Sequence, residues 1–209
     1  MATRQRDEGR QRILLAQQCA RIMAEEGVKD FLTAKRKAAT RLGVANRALL
    51  PSNAEIERAL AEYQRLFKAD RQPLRLRTLR QAAVEAMHFF ARFRPRLVGG
   101  VLAGTADAHS DITLHLFADT PEEVVLFLLE HDIPFVTSER RLNLGSGGYA
   151  SYPVYGFAAG DAGIDLTVLP PEAERQPPRS PVDGRPMRRA GVAAVQALLN
   201  EDAPPPGGE

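Results

Sequence analysis

The chain has 209 residues, 44% of them hydrophobic and 26% charged, with one cysteine and a formal net charge of +2. That length allows one or two domains with a real core, while a single cysteine excludes a disulfide framework or a cysteine zinc site. With no apolar run of about 18 residues, no membrane span is expected.

The small total charge conceals two unlike halves. Residues 1–98 carry 21 basic and 10 acidic side chains, a net +11, and residues 99–209 carry 7 and 16, a net −9. Such asymmetry points to an interaction surface or to halves that dock on each other.

The polar opening, MATRQRDEGRQR, has no apolar stretch. Residues 1–9 are therefore expected to fray, no secretory signal is expected, and the cytoplasm is the default compartment. Ile13, Ala16, Ala20 and Met23 at helical spacing predict a helix over 11–26, ended by Gly27. Cys19 lies inside it and reads as a small buried apolar residue. A second helix over 31–41 carries Lys35, Arg36, Lys37 and Arg41 and stops at Gly43. Ser52 and Glu55 have capping-box spacing at the start of a third helix, whose apolar stripe is Ile56, Leu60, Tyr63 and Phe67. After a break at 70–73, a fourth helix over 76–93 sets Leu76, Leu79, Ala83, Met87 and Phe90 on one face.

The pattern changes at Pro95. Residues 97–102 read as a short buried strand. Over 111–117 the chain alternates, with Ile112, Leu114 and Leu116 on one face and Asp111, Thr113, His115 and Phe117 on the other. Thr120-Pro121-Glu122-Glu123 starts a helix running to 131. Strands over 135–144 and 149–158 flank Gly145-Ser146-Gly147-Gly148, which reads as a hairpin turn because no helix follows it. A last strand over 163–169, a Pro-rich connection and a helix over 189–199 complete the order. The expected organisation is α+β: a basic helical region over 1–75, a small mixed sheet flanked by helices over 76–200, and a disordered tail over 201–209.

The chemistry-bearing stretch is residues 98–114: a strand, Gly99-Gly100, Gly104, a turn with Asp107 and His109, then Ser110-Asp111-Ile112-Thr113. Glycines let a backbone approach a phosphate closely. Asp111 opens one strand, and Asp165 begins the outward face of the last. Carboxylates converging beside a glycine turn suit divalent cations and phosphoryl or nucleotidyl transfer. No G-x-x-x-x-G-K-[ST] run is present, so P-loop hydrolysis is not supported.

These residues resemble the polymerase-β-like nucleotidyltransferase superfamily over roughly residues 80–170. Gly99-Gly100 matches its small-residue pair, Gly104 the glycine that follows, Ser110-Asp111-Ile112 the start of its Asp-x-Asp motif, and Asp165 its third acid. The resemblance implies a nucleoside triphosphate cradled by Gly99, Gly100, Gly104 and Ser110, with Mg²⁺ held by Asp111 and Asp165 as catalytic acids. The departure is Thr113, a neutral hydroxyl where the second acid belongs. A two-ion mechanism needs that charge, so the expectation is a divergent, weakly active or inactive member that still binds a nucleotide. One alternative is an active transferase in which Asp107 or His115 replaces the acid. Another is a non-enzymatic scaffold binding protein or nucleic acid, the latter through Lys35, Arg36, Lys37 and Arg41.

Overall fold

A computed structural model of the chain describes residues 2–67, 72–106 and 110–201. Asp107, His109 and the tail beyond 201 lie outside the described residues. Within them the chain is α+β, with seven α-helices and one five-stranded mixed sheet. It divides into two compact units: residues up to 72 with Pro181–Asp183, and Pro73–Ser180 with the chain from Gly184 on.

The first unit is helical. α1 (Ala2–Glu26) begins at the second residue, so the polar opening is not frayed. Arg, Gln and Glu favour helix, and no proline interrupts them. Its buried stripe keeps Ala16 and Ala20 of the expected set but is otherwise centred elsewhere. Ile13 is 60% exposed, whereas Leu15, Cys19 and Ile22 are fully buried. They pack on Ala34 and Ala38 of α2 (Phe31–Leu42) and Ile56 of α3 (Asn53–Phe67). Asp30 caps α2 by accepting from the Thr33 N–H at 2.7 Å. The capping box of α3 forms as its spacing predicts: Glu55 Oε2 accepts from Ser52 N–H, and Ser52 Oγ from Glu55 N–H.

The second unit opens with α4 (Gln72–Phe89), which starts and ends four residues earlier than expected. A single 3₁₀ turn over Ala91–Phe93 takes the chain to Arg94, at φ +49°, just before Pro95. Proline disfavours helical backbone in the residue before it, which stops the helix short. The predicted apolar face is nonetheless correct, since Leu76, Leu79, Ala83, Met87 and Phe90 are all buried. The strand expected over 97–102 is shorter. β1 (Arg96–Val98) ends where Gly99, at φ +74°, turns the chain into the five-residue α5 (Gly99–Ala103). Glycine adopts that left-handed backbone without steric cost.

β2 (Ile112–Phe117), α6 (Pro121–Glu130), β3 (Val136–Asn143), β4 (Tyr149–Ala159), β5 (Ala162–Leu169) and α7 (Val192–Glu201) follow. The β3–β4 connection is the expected hairpin, closed by Leu144 N–H donating to the Gly148 carbonyl. The sheet order is β1-β2-β5-β4-β3, with only β2 and β5 parallel. Ile112, Leu114 and Leu116 of β2 and Ile164, Leu166 and Val168 of β5 fill one face. They join Leu79, Ala83 and Met87 of α4, Phe90 just after it, and Val124, Phe127 and Leu128 of α6 in the main core. The period-2 alternation therefore leaves Asp111, Thr113, His115, Asp165 and Thr167 to the other face.

Candidate functional site

The opposite face has two ends of unlike character. At the first, the register places Thr113 of β2 directly beside Asp165 of β5. The Gly99 turn lies against the same position, since a Cβ there would come within 4.0 Å of Thr113 Oγ1. Arg80, only 5% exposed, steadies the next turn by donating from Nε to the Val101 carbonyl at 3.2 Å. Gly100 and Gly104 shape the same turn, the Gly100 carbonyl accepting from the N–H groups of Thr105 and Gly104. Ser110 and Asp111, both half-buried, enter β2 just before Ile112.

Both acids rest on glycines. A Cβ at Gly163 would collide with the Asp111 carboxylate, and one at Gly156 would come within 3.3 Å of Asp165 Oδ1. The two carboxylates line a shallow cleft of about 460 Å³ whose other walls include Phe135, Val136 and Phe157. Strand alternation and parallel register thus bring the sequence-predicted residues Gly99, Thr113, Asp111 and Asp165 to one end of one face.

Asp165 has a partner that sequence reasoning missed. Arg140 of β3 donates from Nη2 to Asp165 Oδ2 at 2.8 Å and from Nη1 to Thr167 Oγ1 at 3.3 Å. The pair is about one-third exposed, at 35% and 29%. The donor set is therefore Asp111, a carboxylate held by a guanidinium, and a neutral threonine. That set does not fit a two-ion centre, which needs carboxylates free to bridge the ions. Among the described residues, no group of three His, Cys, Asp or Glu side chains is placed to hold a metal.

At the second end the same strands are covered. His115 is 1% exposed and Phe117 2%. The chain beyond β5 makes this cover. A 3₁₀ turn over Pro171–Glu174 packs near β2, Arg179 pairs with Asn143 at one sheet edge, and Ala190 pairs with Leu97 at the other. Glu174 receives Arg94 at 2.9 Å and Arg96 at 2.8 Å. Arg189 lies over the Phe117 ring and donates from Nη1 to the Ala173 carbonyl at 2.6 Å. Burial pushes the His115 imidazole down to about 3, with Arg189 and then Arg140 adding to the effect. His115 is therefore neutral and enclosed at neutral pH, which removes it as a substitute for the missing acid.

The remaining candidates separate from this face. Cys19 is fully buried in the first unit, and burial pushes its thiol up to about 11, so it is no nucleophile. In the basic cluster of α2, Lys37 and Arg41 both close on Glu26, at 3.0 and 2.6 Å. Arg140 left one faint signal, a basic pair with Arg141 in the acidic half. Arg189 left none. Among the described residues, no helix is long and apolar enough to cross a membrane. Comparison with known proteins found no family model, no curated protein and no solved structure that matches the chain.

Proposed function

We propose that the second unit is a divergent nucleotidyltransferase-like domain that binds a nucleoside triphosphate and is weakly active or inactive in transfer. The observation that carries this reading is convergence. The Gly99 turn lies against Thr113, Thr113 pairs in register with Asp165, and Asp111 sits one strand repeat earlier over Gly163. A glycine backbone favours phosphates, because without a side chain its main-chain N–H groups can be approached closely by an oxygen. Mg²⁺ enters only as the ion arriving on the triphosphate, with Asp111 as the carboxylate that would meet it.

Low activity follows from charge. Thr113 supplies no anion, and Arg140 competes for Asp165 with a charge-assisted hydrogen bond. The apolar walls Phe135 and Phe157 provide surface for a base or other flat group.

The test combines binding and transfer. Calorimetry with the full chain, nucleoside triphosphates and Mg²⁺ is expected to show binding that Asp111→Ala weakens about tenfold. Incubation with labelled triphosphate and cell extract is expected to leave little or no label on an acceptor. Binding unchanged by Asp111→Ala would remove the site assignment, and vigorous Asp111-dependent labelling would establish an active transferase instead. Binding of nucleic acid through Lys35, Arg36, Lys37 and Arg41 is less supported, because Glu26 already engages two of those four cations.

A further inference from the structure

The covered end of the same face carries a cation that the nucleotide reading does not use. Arg189 spends Nη1 on the Ala173 carbonyl. Its Nε and Nη2 are buried and have no hydrogen-bond partner among the described residues. Those two nitrogens form one edge of the guanidinium, the side that meets an oxyanion with two parallel hydrogen bonds. His115, 1% exposed on the neighbouring strand, likewise has an unpartnered Nδ1.

Charge sharpens the point. An arginine does not shed its proton in a folded protein, and a buried cation without a counter-ion is strongly destabilising. The carboxylates nearby are already engaged, Glu174 by Arg94 and Arg96 and Asp165 by Arg140. Arg189 makes no ion pair among the described residues; its electrostatic neighbours are the like charge of Arg96 and, more weakly, Glu174, which Arg94 and Arg96 already share. A surplus positive charge, a bare bidentate edge and a second unpartnered polar atom all belong to the covered end of the face.

We propose that Arg189 and His115 form an oxyanion site beside the 3₁₀ turn over Pro171–Glu174, taking a phosphate-type group on the Nε–Nη2 edge of Arg189 with His115 Nδ1 as a further hydrogen-bonding partner. Arg140, bonded to Thr167 and Asp165, adds positive potential from β3. Because none of Gly99, Gly100, Asp111 or Asp165 contributes a ligand, the site stands or falls separately from nucleotide binding.

Inorganic phosphate is the probe, titrated into the full chain against chloride of equal ionic strength. The expected result is a concentration-dependent rise in unfolding midpoint and a binding isotherm that Arg189→Lys weakens about tenfold by removing the paired edge while keeping the charge. Arg189→Met, which keeps much of the side chain's length and removes the cation, is expected to abolish the phosphate effect. If phosphate gives no more stabilisation than chloride, or if Arg189→Lys binds it as the wild type does, the proposal is overturned. The source of the group is read by competition. Triphosphate displacing inorganic phosphate assigns the site to a nucleotide's phosphate, and independent binding assigns it to a free oxyanion.

Discussion

The two ends of the functional face are built from consecutive residues of the same strands, yet they occupy opposite electrostatic regimes. At one end Asp111 and Asp165 border a cleft, and they and Thr113 are half-buried. One strand repeat further, His115 and Thr167 are fully buried, and Arg189 lies over the Phe117 ring next along β2. The residues change little in polarity along β2, while the cover changes completely. Charge in the cleft is screened by water and worth little. Charge under the cover keeps its full electrostatic weight. The same face can therefore meet a solvated ligand at one end and sequester an ion at the other.

The largest effect expected from breaking this contrast comes from the apolar plug. Phe117, Leu142 and Leu169 form a small cluster of their own at the covered end. Phe117→Ala should cost about 3–5 kcal/mol of stability, measured by urea unfolding, whereas Thr113→Ala at the half-buried end should cost well under about 1 kcal/mol. Equal losses would show that the two ends do not differ in packing as described.

Acid should separate the ends next. Unfolded His115 titrates near the ordinary value of 6.5, but the folded imidazole is held down to about 3. Between those values the unfolded chain binds the extra proton, so native stability falls as pH falls through that window. From pH 6.5 to 4.5 the wild type should lose about 1–2 kcal/mol more than His115→Gln, given about 1.4 kcal/mol per pH unit as the ceiling for one proton. Parallel pH profiles for the two proteins would mean that His115 is hydrated rather than enclosed.

The smallest effect belongs to the pair at the boundary. Arg140 and Asp165 are both roughly one-third exposed, so a double-mutant cycle with Arg140→Ala and Asp165→Ala should return only about 0.5–1 kcal/mol of coupling. A coupling several times larger would move Asp165 from the solvated regime to the buried one.

Much of this was legible in the chain itself. Period-2 alternation correctly separated Ile112, Leu114 and Leu116 from Asp111, Thr113 and His115, because a strand gives its side chains only two directions. Cap chemistry was local as well, so the Ser52–Glu55 box formed where its spacing predicts. Boundaries that depend on backbone competition were less legible. Gly99 was read as the middle of a strand, but its left-handed backbone ends β1 and begins α5. Ile13 and Leu15 are equally apolar, and only packing against α2 and α3 chose Leu15 for the interior.

For the candidate site, the sequence by itself determined which residue types stand at which strand positions: a glycine pair, Asp111, a threonine in place of an acid, and Asp165. Those are facts of order and period, and they survive any arrangement of the rest. The tertiary structure alone decided that Arg140 would hold Asp165, and that Arg189, some 20 residues beyond β5, would lie over Phe117. The physical reason is separation along the chain. Alternation and capping act over two to four residues, but a guanidinium on a distant segment meets its partner only after the sheet has set its register and the cover has crossed from one edge to the other.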